Sequence, residues 1–309
     1  MQDGRKNGPE SKSRLAKSGR LRHNTTMSRR FYSLIAFDLD GTLLRDDKSI
    51  PEENLAAMEK AAARGITLVP ATGRIFRGLP PQLKELPFLR YYILSNGAAV
   101  YDRQERRTLL RADIPLALAL ACYEYLDTLP VIYDCYQNEC GWMTRSMLEA
   151  AAPYFVKEPE VLKMLYGLRK PVDDLKETLR ERGEDLQKLQ MFFKPEDEAL
   201  RQETIRELPR RFPGLQATTS VKNNIEVNSA NAGKGKALVS LCAALGIEAA
   251  AAVAFGDGSN DIELLRMAGL GVAMGNAAAA VKDAADLVTE SNEDCGFARM
   301  IEKLLEERA

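Results

Sequence analysis

The stretch that most constrains the fold is an apolar run that ends abruptly in two aspartates. Residues 34–37 (LIAF) are uniformly apolar, which is typical of a buried strand, and residues 38–42 (DLDGT) follow at once. Gly41 allows a sharp backbone turn behind the carboxylates of Asp38 and Asp40. Such crowded carboxylates repel each other unless a cation lies between them. Taken alone, the stretch is equally consistent with a solvated acidic turn that caps a helix.

Strand and helix patterns alternate downstream of these aspartates. A helical pattern over residues 52–64 ends at a glycine, and the strand 66–69 then runs into residues 70–74 (PATGR). A third strand, 92–94, ends just before Asn96. This spacing predicts an α/β fold with a Rossmann-like parallel sheet and helices on both faces, and ligands bind such sheets at the carboxyl ends of the strands. The side chains expected at that edge are those of Asp38, Thr72 and Asn96.

The alternation loosens between about residue 113 and residue 223. Residues 131–136 and 141–144 predict a hairpin, residues 186–193 a further strand, and residues 196–210 a charged helix. About 110 residues is the size of a separate domain, although an elaborated single domain is the alternative. The parallel pattern resumes after Ile225-Glu226-Val227. The expected organisation is a disordered basic tail (1–30), a Rossmann-like catalytic core (31–112 and 224–309) and an inserted α+β domain (113–223).

The first 30 residues differ sharply from the rest in composition. Nine Lys or Arg residues against Asp3 and Glu10 give them a charge of +7, which leaves −8 for the remainder of a chain whose total is −1. The segment has almost no large apolar residues to bury, so we expect disorder rather than a nucleic-acid or membrane-binding arm. It holds His23, the single histidine, and Met27 is a second candidate for the natural start. We therefore expect that any catalysis by the rest of the chain uses no histidine.

The cysteines and the apolar residues bear on the cellular setting. The five cysteines are odd in number and form no Cys-x-x-Cys pair, which predicts reduced thiols rather than a disulfide framework or a zinc site. No apolar stretch approaches the roughly 20 residues that cross a bilayer. We therefore expect a cytoplasmic protein that uses neither a membrane nor nucleic acid.

The later part of the chain supplies groups that suit a metal and a phosphate. Lys234 begins a helix between two glycines, and the apolar strand 250–255 ends in residues 256–261 (GDGSND). Clustered carboxylates with few nitrogen or sulfur ligands suit Mg²⁺. The hydroxyl of Thr72, the backbone N–H of Gly73 and a lysine ammonium suit a phosphoryl group. The chain has no Gly-x-x-x-x-Gly-Lys-[Ser/Thr] sequence, so a nucleotide P-loop is excluded.

Four motifs in this order resemble those of the haloacid dehalogenase superfamily. They are DLDGT (38–42), ATGR (71–74), KGKAL (234–238) and GDGSND (256–261). Residues 255–276 (FGDGSNDIELLRMAGLGVAMGN) are similar to the Cof-type branch, which carries a large α/β cap between the second and third motifs. The resemblance covers about residues 31–309, and the inserted domain has the position and size of that cap.

The resemblance implies a Mg²⁺-dependent phosphatase that acts on small phosphorylated metabolites such as sugar phosphates. Asp38 is then the nucleophile that forms an aspartyl-phosphate. Asp40 protonates the leaving group and later deprotonates water, and Lys234 bridges the phosphate and Asp38. The other implied roles are phosphate contacts by Leu39, Thr72, Gly73 and Asn260, metal binding by Asp38, Asp257 and the backbone carbonyl of Asp40, and support from Gly258 and from Asp261, which orients either Lys234 or a metal-bound water.

Other interpretations remain open at this point. Lys234 alone would be a surface lysine at a helix start, Thr72 alone a turn residue, and Asn96 a turn cap. A phosphomutase of the same superfamily would need a cap that binds substrate in two orientations. A receiver-like module would store phosphate on Asp38 without turnover. The motifs specify neither the substrate nor the oligomeric state.

Overall fold

The structure is a computed structural model that describes residues 32–306. The predicted basic tail, with His23 and Met27, lies outside the described residues. Within 32–306 the strands are β1 (Leu34–Phe37), β2 (Thr67–Pro70), β3 (Tyr91–Leu94), β4 (Ala99–Asp102), β5 (Arg107–Arg111), β6 (Ile132–Gln137), β7 (Cys140–Thr144), β8 (Arg169–Val172), β9 (Lys188–Phe192), β10 (Leu215–Thr218), β11 (Asn224–Ser229), β12 (Ala252–Gly256), β13 (Leu270–Ala273) and β14 (Leu287–Val288).

Eleven α-helices occur in the same described range. They are α1 (Glu52–Ala63), α2 (Pro81–Glu85), α3 (Leu116–Leu126), α4 (Arg145–Glu149), α5 (Pro159–Leu168), α6 (Leu175–Arg182), α7 (Glu198–Arg211), α8 (Lys234–Ala244), α9 (Ile262–Met267), α10 (Ala279–Lys282) and α11 (Gly296–Glu306). Among the described helices, none combines the length and apolarity that crossing a membrane requires. All five cysteines lie in the described residues, and none forms a disulfide.

A five-stranded, fully parallel sheet confirms the predicted α/β fold. Its order is β14-β13-β12-β1-β2. The central strands β1 and β12 pair so that Phe37 lies opposite Phe255. The loops that leave these two strands therefore start side by side at the carboxyl edge, which brings Asp38 and Asp257 together.

Alternating side chains of the central strands bury both faces of this sheet. Ile35 and Phe37 of β1 pack into the apolar cluster that includes α1 and α11. Leu34 and Ala36 pack on the other side, with α8 and α9. Successive strand residues point to opposite faces, so a short, wholly apolar strand satisfies two helical layers. Each large buried side chain contributes about 1.5–3 kcal/mol to folding.

A second sheet of six strands is formed mainly by the segment predicted as an insertion. Its order is β10-β11-β9-β6-β7-β8, and every pair except β7–β8 is antiparallel. Helices α3, α6 and α7 pack on one face, and α4 and α5 pack on part of the other. The hairpin expected from residues 131–144 is present as β6 and β7. The division into core and cap domains stays a prediction.

The strand at the predicted boundary between the inserted domain and the core lies in the second sheet. Residues 224–229 were placed with the parallel core, but β11 pairs antiparallel with β9 and β10 in the second sheet. The alternation of Ile225 and Val227 with Glu226 and Asn228 is typical of a strand with one apolar and one polar face. The apolar residues join the second-sheet core, so the polar ones face the other side.

The third predicted strand lies in a small sheet of its own. β3 pairs antiparallel with β4, and β4 with β5, rather than forming a full ladder with β2. A single parallel bridge between Ala71 and Ile93 still connects it to the end of β2. The backbone N–H of Asn96 donates to the carbonyl of Thr72 at 3.0 Å. Asn96 therefore reaches the site edge, as expected.

Candidate active site

Lys234 and Asp38 meet in the interior at the carboxyl edge of the parallel sheet. The Nζ of Lys234, the first residue of α8, donates to Oδ1 of Asp38 at 2.6 Å. Lys234 is 1% and Asp38 7% exposed. The residue before α8, Gly233, packs directly against Gly97 because Gly97, at φ +88°, has no side chain. A Cβ on Gly97 would lie 2.2 Å from the carbonyl oxygen of Gly233. Lys234 is thus a buried site residue and not a surface lysine.

Asp261 anchors Lys234 from the other side. Its Oδ1 accepts a second bond from Nζ of Lys234 at 2.6 Å. Its Oδ2 accepts the backbone N–H groups of Asp257 at 3.1 Å and Gly258 at 2.9 Å. Both oxygens are engaged, which agrees with the first predicted role, the orientation of Lys234. Gly258 contributes through its backbone, as expected for a supporting residue.

Asp257 lies against the turn that follows the first two aspartates. The hydroxyl of Thr42 donates to Oδ1 of Asp257 at 2.9 Å. A Cβ on Gly41 would lie 2.3 Å from Oδ2 of the same carboxylate. Gly41 is therefore required both for its positive φ of +82° and for space. The contact of Thr42 was not predicted, because a hydroxyl in DLDGT carries no local sign of its partner.

Three carboxylates form a group with the chemistry of a metal site. Single oxygens of Asp38, Asp257 and Asp261 lie within 4.8 Å of one another. Burial raises the pKa of Asp38 well above its usual value; Lys234 opposes this, and the neighbouring carboxylates add to it. Burial and Asp261 raise the pKa of Asp257 to about 6. A divalent cation would relieve this crowding, and the hard oxygen donors fit Mg²⁺.

Asp40 lies outside this group of three and is paired with two cations. Nε and Nη2 of Arg74 donate to its two oxygens at 2.9 and 2.7 Å, and Nζ of Lys48 lies 3.0 Å from Oδ1. Burial alone would raise the pKa of Asp40, but Arg74 and then Lys48 lower it to about 2. Asp40 is therefore a carboxylate at neutral pH in this state. Neither contact of Asp40, with Arg74 or with Lys48, was predicted from the sequence.

The predicted phosphate-binding residues surround the same edge. Thr72 is 1% exposed, and its Oγ1 accepts the backbone N–H of Arg74 at 3.2 Å. Asn260 donates from Nδ2 to Oδ1 of Asn96 at 3.1 Å. Leu39 is fully buried, and its carbonyl closes the turn by accepting the backbone N–H of Leu44 at 2.8 Å. The structure therefore brings together the residues that the four motifs contributed.

The whole-chain comparison agrees with this geometry. A family model described as haloacid dehalogenase-like hydrolase matches residues 35–301. The chain belongs to the haloacid dehalogenase-like hydrolases. The resemblance to this superfamily and its Cof-type branch, drawn from the motifs, is confirmed. The predicted enzyme class, a phosphoric monoester hydrolase, is confirmed as well.

Several known proteins are similar to this chain along nearly their whole length. A 5-amino-6-(5-phospho-D-ribitylamino)uracil phosphatase of Bacillus subtilis is 31% identical over 276 residues, covering 87% of this chain and 94% of that protein. A pyridoxal phosphate phosphatase of Escherichia coli is 28% identical over 269 residues, covering 87% and 97%. A solved haloacid dehalogenase-like hydrolase from B. subtilis superimposes with a TM-score of 0.73 at 29% identity, covering 87% and 99%.

Two residues of the second sheet also reach the hydrolase site and were missed. Nζ of Lys188 in β9 donates to the backbone carbonyl of Gly73 at 2.8 Å and to Oε1 of Glu226 at 2.9 Å. Glu226 in β11 accepts from Asn96 at 2.6 Å. Period-2 alternation in β9 and β11 could have put both on a polar face. The residues that Lys188 and Glu226 contact are distant in sequence, so the alternation could not have predicted them.

Proposed function

We propose that this hydrolase removes the phosphoryl group from a small phosphorylated metabolite in a Mg²⁺-dependent reaction, through an aspartyl-phosphate on Asp38. The observation that carries the proposal is the 2.6 Å contact of Lys234 with a buried Asp38 at the strand tip. Phosphoryl transfer depends on positioning and charge neutralisation, and the site offers both. The relatives named above are phosphatases, which supports hydrolysis over mutase or receiver activity.

Asp38 would act through the oxygen that Lys234 leaves available. Lys234 donates to Oδ1, and among the described residues no hydrogen bond reaches Oδ2. Attack by a carboxylate oxygen on phosphorus forms the new O–P bond as the bond to the leaving oxygen breaks. Lys234, held between Asp38 and Asp261, would also neutralise charge on the transferring group. Thr72, the backbone of Gly73 and Leu39, and Asn260 would hold the phosphate oxygens.

Asp40 would move the protons of both half-reactions. It would donate a proton to the departing alkoxide, and its carboxylate would then take one from the water that breaks the aspartyl-phosphate. Such proton transfer contributes about 10²–10⁴ in rate. The carboxylate form held by Arg74 and Lys48 suits the second step. The first step requires the pair with Arg74 to loosen when substrate binds, so that Asp40 takes up a proton from solvent, and the proton taken from water in the second step restores this form for the next cycle.

The metal would be held by Asp38, Asp257 and the backbone carbonyl of Asp40. When bound, Mg²⁺ supplies positive charge that offsets the repulsion between a carboxylate nucleophile and an anionic phosphate. Both oxygens of Asp261 already accept hydrogen bonds, from Lys234 and from two backbone N–H groups, so we assign it to orientation and not to metal binding.

The proposal is tested by phosphate release from a panel of phosphorylated metabolites, with Mg²⁺ and with a chelator. We expect release that requires Mg²⁺ and that is lost in Asp38→Asn, while Asp283→Asn, a change at an exposed acid, keeps full activity. Undiminished activity of Asp38→Asn, checked for deamidation, or full activity in chelator would contradict the proposal.

A further inference from the structure

Glu226 is a buried carboxylate that lies between the second sheet and the proposed phosphate site. It is 3% exposed and lies in the middle of β11. Its Oε1 accepts from Nζ of Lys188 and from the hydroxyl of Ser220, both at 2.9 Å. Its Oε2 accepts from Nδ2 of Asn96 at 2.6 Å. Each of the two carboxylate oxygens of Glu226 therefore accepts from a different neighbour, one from Lys188 and Ser220 and the other from Asn96.

Two acceptors fix the orientation of the Asn96 amide. Nδ2 of Asn96 faces Oε2 of Glu226 and also Oδ1 of Asn228, at 3.2 Å. The amide nitrogen of Asn228 donates to two backbone carbonyls at 3.0 and 2.8 Å, so only its oxygen can face Asn96. Oδ1 of Asn96 must then point the other way, toward Asn260.

This orientation is passed on to Asn260. Because Asn96 presents an oxygen, Asn260 has to present its amide nitrogen, and it donates from Nδ2 at 3.1 Å. An amide nitrogen carries two N–H groups, so one remains for another acceptor. If Asn260 were flipped, it would offer an anionic phosphate an oxygen in place of a donor.

We propose that Glu226 is a positioning residue for phosphate recognition, which acts through Asn96 to set the amide of Asn260 as a donor. These three residues form the amide relay. The inference rests on the proposed function, because Asn260 is there a phosphate ligand. Lys188 adds a second connection, since it joins Glu226 to the carbonyl of Gly73 at 2.8 Å.

Only a carboxylate satisfies both neighbours of Glu226. The ammonium of Lys188 has donors and no acceptor, and the Asn96 amide nitrogen is held as a donor. A glutamine of the same shape has one oxygen and one NH₂ group. Its oxygen would face Lys188, and its NH₂ group would then face the NH₂ group of Asn96. Glu226→Gln therefore sets two donors against each other at the start of the relay.

The experiment measures kcat/KM for p-nitrophenyl phosphate and competitive inhibition by inorganic phosphate, both with saturating Mg²⁺. It compares wild type, Glu226→Gln, Asn260→Ala and the double variant, with thermal unfolding of each. The matched control is Asp102→Asn, which changes another buried carboxylate, 2% exposed and paired with Arg90, outside the site.

We expect Glu226→Gln to lower kcat/KM about tenfold or more and to weaken inhibition by phosphate to a similar extent. In the Asn260→Ala background, Glu226→Gln should lower kcat/KM less than about twofold, because the effects of residues that act in series are not additive. Asp102→Asn should leave kcat/KM within about twofold, because Asp102 pairs with Arg90 outside the site and its loss acts on stability.

Equal losses from Glu226→Gln with and without Asn260, or no loss at all, would overturn the relay. If Glu226→Gln does not fold, Asn96→Gly gives the same test, because a glycine accepts the φ of +58° and removes only the side chain. If Asp38→Asn kept the activity of the wild type, the proposed function would be refuted instead, and the relay would have no phosphate to position.

Discussion

At the residue scale, one buried ammonium is paired with two buried carboxyl groups. Lys234 contacts Asp38 and Asp261 at 2.6 Å each, and its side chain and that of Asp261 are fully buried. Burial alone would lower the pKa of Lys234, but Asp261 and Asp38 raise it, so the lysine stays protonated. Removing one member of such a group leaves charge without compensation in the interior.

Lys234→Met tests this balance directly. We expect turnover to fall by about 10² or more, because a donor aimed at developing charge is lost. We expect the free energy of unfolding to fall by about 3 kcal/mol. The measurements are phosphate release and urea unfolding. Lys236→Met, two residues along the same helix, is the control and should change neither by much; equal effects of the two variants would refute a special role for Lys234.

Gly41 offers a second test, with Gly65 as its control. Both glycines have positive φ, +82° and +76°, but a Cβ on Gly41 would meet Asp257 whereas one on Gly65 would meet nothing within 4 Å. Alanine at either position should cost about 1–2 kcal/mol through backbone strain. Only Gly41→Ala should also raise the Mg²⁺ concentration that gives half-maximal activity. A Mg²⁺ titration of both variants decides, and identical midpoints would contradict the proposed metal site.

At the element scale, helix α11 supports the two strands that carry Asp38 and Asp257. The ring of Phe297 lies 5.1 Å from that of Phe37 and 5.0 Å from that of Phe255. These are the last apolar residues of β1 and β12 before the acidic loops. The helix thus reaches the site through packing, without contributing a polar group to it.

Phe297→Ala should therefore cost both stability and activity. We expect a loss of about 3–5 kcal/mol in the free energy of unfolding, because the side chain is fully buried between two rings. At temperatures well below the unfolding midpoint, kcat should also fall, since the strand ends lose their support. Urea unfolding and the rate of phosphate release measure the two effects. A loss below about 1 kcal/mol would show that α11 does not hold these strands.

Strand β11 gives a prediction on pH. Burial alone would raise the pKa of Glu226, but Lys188, Asn96 and Ser220 lower it below the ordinary 4.5. A lowered pKa in the folded state means that ionisation stabilises the fold above the unfolded pKa and that this contribution is lost as pH falls through the folded value. The difference in unfolding free energy between wild type and Glu226→Gln should therefore shrink as pH drops below about 4.5. A difference that stays constant from neutral to acid pH would contradict it.

At the scale of the whole molecule, local patterns were enough to predict which acids follow the two central strands. The residues 34–37 and 252–256 are short apolar runs followed at once by acids, and this is enough to place Asp38 and Asp257 at one sheet edge. The contact of Lys188 with Gly73 spans 115 residues of sequence. No local pattern encodes such a partner, because it depends on how the second sheet packs over the site.

The same limit explains the two sheet assignments that the sequence did not give. The sequence predicted β3 as a strand of the parallel sheet and gave residues 224–229 to the core, but the pairing of β3 and β11 depends on which neighbours are available. β11 follows the inserted segment directly and is drawn into its sheet by Ile225 and Val227. The pairing of Asp40 and Lys48, which share one loop, with Arg74 of another likewise appears only when the two loops meet.

The central claim is that Asp38 carries the phosphoryl group during turnover, and trapping it tests this most directly. Asp40→Asn should slow the water step, while p-nitrophenyl phosphate, with its good leaving group, needs little help from an acid in the first step. We predict a burst of p-nitrophenol equal to the enzyme concentration, and the mass of one phosphoryl group on Asp38 in acid-quenched, digested protein, only when Mg²⁺ is present. Continued phosphate release with no burst and no modified Asp38 would contradict the mechanism.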